Sequence, residues 1–144
     1  MTGVQTCALP ISLGYPFTYW AIPSTWDLDN DMLDVVIVNV TEPLIPWSLV
    51  EVRVIGVIKF VDSWEVDDKI IAVVHDDKRQ DHIHHFEQLW DYWRKEAEHY
   101  LEYYKHLKKP DTGKVEWFYW PEEAVRVIHE CQERYIVDYL PKFS

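Results

Sequence analysis

The sequence predicts an α+β fold, in which a small antiparallel β-barrel or sheet has two helices packed on it. Strand-like apolar segments fill the first half of the chain, whereas apolar residues recur at helical spacing in the second half. A run of strands followed by helices, without regular alternation, is typical of α+β domains. At 144 residues the chain has the size of one domain.

Three apolar segments rich in β-branched residues predict buried strands, namely residues 35–40, 49–61 and 69–74. Gly56 lies in the middle of the second segment and predicts a bulge or bend there. Residues 27–34 and 62–68 connect the strands as two acidic loops. Residues 15–26, rich in aromatic residues and proline, predict irregular or short extended structure.

The second half has a helical period. Apolar side chains recur every three or four residues from Phe86 to Leu107, which predicts one long amphipathic helix that Pro110 ends. Residues 115–120 predict a short aromatic strand, and Pro121 begins a second helix. The predicted apolar face of this second helix consists of Ala124, Ile128, Tyr135 and Tyr139.

The formal net charge is −11, from 14 basic and 25 acidic side chains. Such a field repels nucleic-acid backbones, so we expect no nucleic-acid partner. An acidic protein still binds an anionic substrate when metal cations lie between them.

Cys7 and Cys131 are too few for a disulfide scaffold and predict a reducing, cytoplasmic location. No apolar run reaches transmembrane length, so we expect no membrane partner.

The first acidic loop carries four carboxylates in eight residues: Asp27, Asp29, Asp31 and Asp34. Their mutual repulsion favours neutralisation by cations, and a loop that leads into a strand can direct several carboxylates at one Mg²⁺. Alone, the spacing D-x-D-x-x-D is also typical of a solvated acidic turn. A calcium loop of EF-hand type is excluded, because Met32 stands where glycine is required and Val38 where the closing glutamate is required.

The second acidic loop contains Asp62, Asp67 and Asp68, and Lys69 follows it. Loops at one rim of a barrel can converge, so the two loops together predict a multi-metal phosphate site in which the lysine binds an anion. The histidines at positions 82, 84 and 85 have no cysteine or carboxylate partners at a fixed spacing, and we interpret them as part of a solvated loop.

Four motifs resemble those of family I soluble inorganic pyrophosphatases of bacterial type. Residues 29–34 (DNDMLD) resemble the family's D-G-D-P-L-D signature, and residues 15–20 (YPFTYW) resemble the preceding Y-P-x-N-Y-G. Residues 56–62 (GVIKFVD) and 67–69 (DDK) resemble G-V-L-K-M-x-D followed by D-x-K. Residues 100–107 (YLEYYKHL) resemble F-F-x-x-Y-K-x-L. The four occur in the family's order.

This resemblance implies an OB-like antiparallel β-barrel with two C-terminal helices. It implies hydrolysis of inorganic diphosphate to two orthophosphates by a metal-activated water. The implied cofactors are several Mg²⁺ ions, which Mn²⁺ can replace. The implied assembly is a homo-oligomer, commonly a hexamer. Asp31 matches the residue that takes the proton from the water. The matching metal ligands are Asp29, Asp34, Asp62 and Asp67, and the matching substrate-binding residues are Tyr15, Tyr19, Lys69, Tyr104 and Lys105. Trp20 departs from the family's glycine beside Tyr19, and Met32 from its proline.

Residues 1–12 (MTGVQTCALPIS) resemble a translated sequencing-adapter oligonucleotide, and we interpret them as foreign to the domain. The domain is then residues 13–140, with a tail at 141–144. The family has a longer region here, which supplies strands and a phosphate-binding lysine and arginine. We therefore expect an incomplete barrel and weak or no activity in this chain, from an active parent. A non-catalytic OB-like binding module and an unstable fragment are the alternatives.

Overall fold

The computed structural model describes the backbone of residues 4–8 and the complete residues 18–40, 44–103 and 112–143. The strands are β1 (Val4–Ala8), β2 (Thr18–Ile22), β3 (Leu33–Ile37), β4 (Leu49–Asp62), β5 (Glu65–Val66), β6 (Lys69–Val74) and β7 (Gly113–Tyr119), and the helices are α1 (Trp93–Tyr103) and α2 (Pro121–Arg134). Strands followed by helices confirm the predicted α+β class. None of the described helices is both long and apolar enough to cross a membrane.

Five strands follow one another in a barrel-like order. β4 pairs with β6, β6 with β3, β3 with β2, β2 with β1, and β1 returns to β4. The seam between β1 and β2 consists of the pair Ala8–Ala21 in the described residues, whereas β1 pairs with β4 over five residues. Closure is therefore minimal at this seam, in line with the expected incomplete barrel. Strand β1 lies within residues 1–12, which the sequence predicts to be foreign to the domain.

One strand pair departs from the antiparallel prediction. β3 and β6 run parallel, with Asp34 opposite Lys69 and Ile37 opposite Ala72. The long strand β4 lies between them in the chain and is antiparallel to β6, so β6 begins at the same rim of the barrel as β3. Consequently the two acidic loops, which precede these two strands, reach the same rim.

The predicted irregularity at Gly56 is confirmed by a register shift between Val54 and Gly56 in the β4–β6 pairing. Here β4 passes close to its neighbours. A Cβ atom at Gly56 would lie 2.7 Å from the Phe86 ring and 2.8 Å from the Tyr119 carbonyl oxygen. The close packing therefore requires glycine at this position.

The first helix is shorter than the period predicts. It begins at Trp93, and residues 86–88 form a separate 3₁₀ turn that ends at Leu89 in an extended conformation. Arg53 holds this preceding segment by donating from Nε to the Ile83 carbonyl oxygen at 3.0 Å. Buried side chains keep the helical spacing without one continuous helix, because tertiary contacts organise them. The predicted end of this helix lies outside the described residues.

The second helix begins at Pro121, as predicted, and α2 ends at Arg134. Its buried face consists of Ala124, Val127, Ile128 and Cys131. Tyr135 and Tyr139, predicted for this face, belong instead to a π-helical turn after α2 and are half-buried.

Alternation along the strands divides the apolar core into two clusters. The α2 cluster includes Trp20, Val35, Val52, Ile70, Ala124 and Ile128. The α1 cluster includes Val36, Ile58, Phe60, Ile71, Trp93 and Leu101. Each helix therefore covers a different set of strand side chains.

Candidate active site

Lys69 joins the two acidic loops. It is 4% exposed, and its Nζ donates to Asp34 Oδ2 at 2.5 Å and also to Asp67 Oδ1. Asp34 comes from the first residues of β3 and Lys69 from the first residue of β6, opposite each other in the parallel pair. The predicted convergence of the two loops is therefore present in the structure for these three residues.

Tyr19 completes this group from the neighbouring strand β2. Its hydroxyl donates to Asp34 Oδ2 at 3.5 Å, and its ring centroid lies 5.4 Å from Lys69 Nζ. Burial raises the pKa of the Tyr19 hydroxyl well above its ordinary value, so the group remains a neutral donor. A neutral phenol and an ammonium on one rim form a pair of donors suited to phosphate oxygens.

Trp20 does not crowd this group, although a glycine stands at its position in the family that the sequence resembles. Its side chain is fully buried in the α2 cluster, whereas Tyr19 packs against the α1 cluster. Successive side chains of a strand point to opposite faces, which explains the separation.

The carboxylates at this rim are electrostatically crowded. Burial raises the pKa of Asp34 to about 6, and the negative charges of Asp67 and Asp29 add to this against the opposing effect of Lys69. Burial also raises the pKa of Asp29 to about 6, with Asp67 and Asp27 contributing. Burial lowers the pKa of Lys69, but the negative charges of Asp34 and Asp67 outweigh this effect and raise the pKa well above its ordinary value. Three carboxylates and one ammonium leave a formal charge of −2.

Asp31 lies at the exposed tip of the first loop. Its Oδ1 accepts from the Met32 amide at 2.8 Å, while its own amide donates to Asp29 Oδ1 at 3.2 Å. Asn30, between them, has a φ of 64°. These short-range bonds turn the loop tightly, and the Asp31 side chain remains accessible to a water molecule.

The second loop divides its carboxylates between two environments. Asp62 is half-buried at the end of β4 and accepts from Ser63 Oγ at 3.2 Å. Asp68 is 5% exposed and bonds Lys59 Nζ at 3.0 Å and the Phe60 amide at 3.3 Å. Asp68 is therefore held by its neighbours on β4, while Asp67, the preceding residue, points to Lys69.

Two residues near the site, Asp27 and Arg134, make a contact that the sequence does not predict. Asp27 is 5% exposed, and its Oδ1 lies 3.7 Å from Arg134 Nη1 at the end of α2. The sequence indicates Asp27 only as a member of the acidic run. Arg134 carries no local signal, since more than a hundred residues separate it from the loop. The predicted residues Tyr15, Tyr104 and Lys105 lie outside the described residues.

The donor set at the rim suits a hard divalent cation. All candidate ligands are carboxylate oxygens, burial and neighbouring negative charge raise the pKa values of Asp29 and Asp34, and the local charge of −2 matches one such ion. No group of three or more His, Cys, Asp or Glu side chains in the described part of the chain is close enough to bind a metal as it stands. Lys69 and the loop amides hold the carboxylates instead, so cation binding requires a rearrangement of these side chains.

The chain resembles proteins of one family along nearly its whole length. The family model for inorganic pyrophosphatase matches residues 4–136. The inorganic pyrophosphatase of Neisseria meningitidis serogroup B is 42% identical over 127 residues, which cover 88% of this chain and 71% of that protein. The corresponding protein of Geobacillus stearothermophilus is 38% identical over 123 residues, covering 84% and 72%.

Solved structures agree in fold. The crystal structure of an inorganic pyrophosphatase from Neisseria gonorrhoeae superposes with a TM-score of 0.81 at 43% identity, covering 85% of this chain and 71% of that one. The Thermus thermophilus inorganic pyrophosphatase gives 0.78 at 36% identity, covering 89% and 74%. The barrel, the carboxylate rim and these similarities agree, and the chain belongs to the inorganic pyrophosphatase family.

Proposed function

We propose that this chain carries the site of a divalent-metal-dependent hydrolase that converts inorganic diphosphate to two orthophosphates, with the weak activity that the sequence predicts for this chain. The observation that carries the proposal is the meeting of Asp34, Asp67 and Lys69 at one rim, where excess negative charge and one buried ammonium lie side by side. Such a site attracts cations, and the cations together with the lysine then accommodate a highly anionic substrate.

The metal ligands in this proposal are Asp29, Asp34 and Asp67, with Asp62 as a ligand for a further ion. A divalent ion bound there supplies positive charge for phosphate oxygens and a lower pKa for a water molecule. Mg²⁺ fits best because the ligands are hard oxygen donors, and Mn²⁺ is the alternative.

The remaining roles belong to side chains that touch substrate or water. An Asp31 carboxylate oxygen accepts the proton of the attacking water, whose oxygen bonds to one phosphorus as the bridging oxygen leaves on the other phosphate. Lys69 Nζ and the Tyr19 hydroxyl donate to phosphate oxygens and stabilise the charge that develops on them. Tyr15, Tyr104 and Lys105 are proposed as further substrate-binding residues from the family motifs.

Replacement of Asp31 by Asn tests the proposal. The amide has nearly the same size but accepts no proton at neutral pH, so phosphate release with diphosphate and Mg²⁺ should fall by about 100-fold or more. Asp138→Asn is the matched control, because Asp138 is exposed on the turn after α2 and the same chemical change there should leave the rate unaltered. Equal rates for Asp31→Asn and the wild type would show that the base is wrong. A wild type that binds metal without releasing phosphate would favour a non-catalytic binding module.

Two further expectations accompany this function. Family resemblance favours a homo-oligomer, a hexamer for the parent protein, which sedimentation measures directly. The low cysteine content favours a cytoplasmic location.

A further inference from the structure

The end of α2 binds the backbone of the first acidic loop at its entry. The Trp26 amide donates to the Cys131 carbonyl oxygen at 2.9 Å, and Arg134 Nη1 donates to the Trp26 carbonyl oxygen at 2.8 Å. The Trp26 ring also lies 4.3 Å, centroid to centroid, from the ring of Tyr139. Both backbone polar groups of one loop residue are therefore bonded to a single helix.

The next residue, Asp27, extends this contact into the loop. Its buried Oδ1 lies 3.7 Å from Arg134 Nη1 and accepts from the Leu28 amide at 2.8 Å. Arg134 Nη1 therefore faces both a carbonyl oxygen and a carboxylate of the same loop. A guanidinium has several donors in a rigid plane, which suits such a double contact better than a lysine does.

Asp27 in turn closes the loop that carries the proposed catalytic residues. Its amide donates to the Asp31 carbonyl oxygen at 2.8 Å, and its carbonyl oxygen accepts from the Asn30 amide at 3.2 Å. The segment from Asp27 to Asp31 is thus a small closed turn with its base at Asp27. A movement of Asp27 would displace the turn, including Asp29 and Asp31.

From these contacts we propose that Arg134 is a positioning residue, which holds Asp27 and thereby sets the orientation of Asp29 and Asp31 in the acidic loop. The inference rests on the proposed function for its kinetic consequence. In this proposal Arg134 acts on the reaction through the backbone of the loop and not through contact with substrate or metal. Outer residues that orient metal ligands typically change metal affinity or activity by about 10- to 100-fold when they are replaced.

The test compares Arg134→Met with Arg134→Lys and with Arg126→Met. Arg126 lies on the same helix, and its guanidinium pairs at the surface with Glu123 and Glu130, so its loss should leave the loop unaffected. Three quantities are measured below the melting temperature: Mn²⁺ affinity by electron paramagnetic resonance without substrate, kcat and KM for diphosphate, and amide hydrogen exchange of residues 27–33.

Arg134→Met should reduce both the affinity for Mn²⁺ and kcat by about 10-fold or more, while KM changes little. Amide hydrogen exchange in the loop should become faster. Arg134→Lys should restore part of each loss, and Arg126→Met should differ from the wild type by less than about twofold. If Arg134→Met does not fold, Asp27→Asn should produce the same pattern, because it weakens the ion pair and leaves the bond from Arg134 to Trp26 in place.

A purely structural role of Arg134 would lower the melting temperature and leave Mn²⁺ affinity, kcat and loop exchange unchanged, and that result overturns the inference alone. A wild type that neither binds Mn²⁺ nor releases phosphate overturns the proposed function, and the inference with it. The two failures are therefore distinguishable.

Discussion

Replacing Asp34 by Asn should stabilise the metal-free protein at neutral pH, and the gain should disappear in acid. Asp34 is held in a crowded site where burial, and then the charges of Asp67 and Asp29, raise its pKa from 3.8 to about 6 despite Lys69. The charged form is therefore less favourable in the folded protein than in the unfolded chain. An Asn of the same shape avoids this cost.

The magnitude follows from the shift in pKa. About two pKa units correspond to about 3 kcal/mol between the ionised and protonated forms. Below about pH 3 the carboxyl is protonated in both states and costs nothing. Between about pH 4 and 6 the unfolded chain loses its proton first, so the stability of the folded state falls as pH rises. Above about pH 6 the full cost is present, and Asp34→Asn removes it.

Urea denaturation in the presence of a chelator at pH 4, 5, 6 and 7 measures this difference. The variant should exceed the wild type by less than about 1 kcal/mol at pH 4 and by about 3 kcal/mol at pH 7, the latter equivalent to a melting temperature roughly 6 °C or more higher. Saturating Mg²⁺ should make the wild type more stable than the variant, because only the wild type retains the Asp34 carboxylate as a ligand and gains the full free energy of metal binding. Asp138→Asn, at an exposed position, should change stability little at any pH.

Equal stability of the two proteins at pH 7 without metal would refute the reasoning. So would a gain that is the same at pH 4 and pH 7, since the effect would then arise from the shape of the amide and not from the removed charge.

Two further changes test the packing around the site. Lys69→Met should destabilise the protein by about 3–5 kcal/mol at pH 7, because two carboxylates lose their buried partner. Denaturation at pH 5 should show a smaller loss of stability. An equal loss at pH 5 and pH 7 would argue against an electrostatic cause. Gly56→Ala should destabilise by about 1–3 kcal/mol, since the new Cβ would lie within 3 Å of the Phe86 ring and of a carbonyl oxygen on β7. A thermal melt measures this effect, and Gly56→Ala with an unchanged midpoint would mean that the strands separate easily.

Local patterns in the sequence were sufficient for much of the fold. The strand at residues 69–74 has the predicted bounds, the bulge falls at Gly56, and α2 begins at Pro121. Each of these features depends on residues close together in the chain, such as β-branched runs, a glycine without Cβ, and a proline suited to the first helical turn. The family motifs named candidate site residues for the same reason, since each motif is a short stretch.

The shortened first helix was not predictable from its period. A helical recurrence from Phe86 to Leu107 is equally compatible with a helix and with a 3₁₀ turn followed by a shorter helix. The bond from Arg53 to the Ile83 carbonyl oxygen helps to decide between them, and it joins residues 30 positions apart.

The sequence by itself determined which carboxylates are available and where several of the strands lie, and it predicted cations near Asp29, Asp31 and Asp34. Only the tertiary structure decided that β3 and β6 run parallel, which places Asp34 opposite Lys69 at one rim. Only the tertiary structure joined Arg134 to the loop at Asp27. Strand direction and contacts across a hundred residues depend on how the whole chain packs, whereas strand propensity and acidic spacing are properties of neighbouring residues.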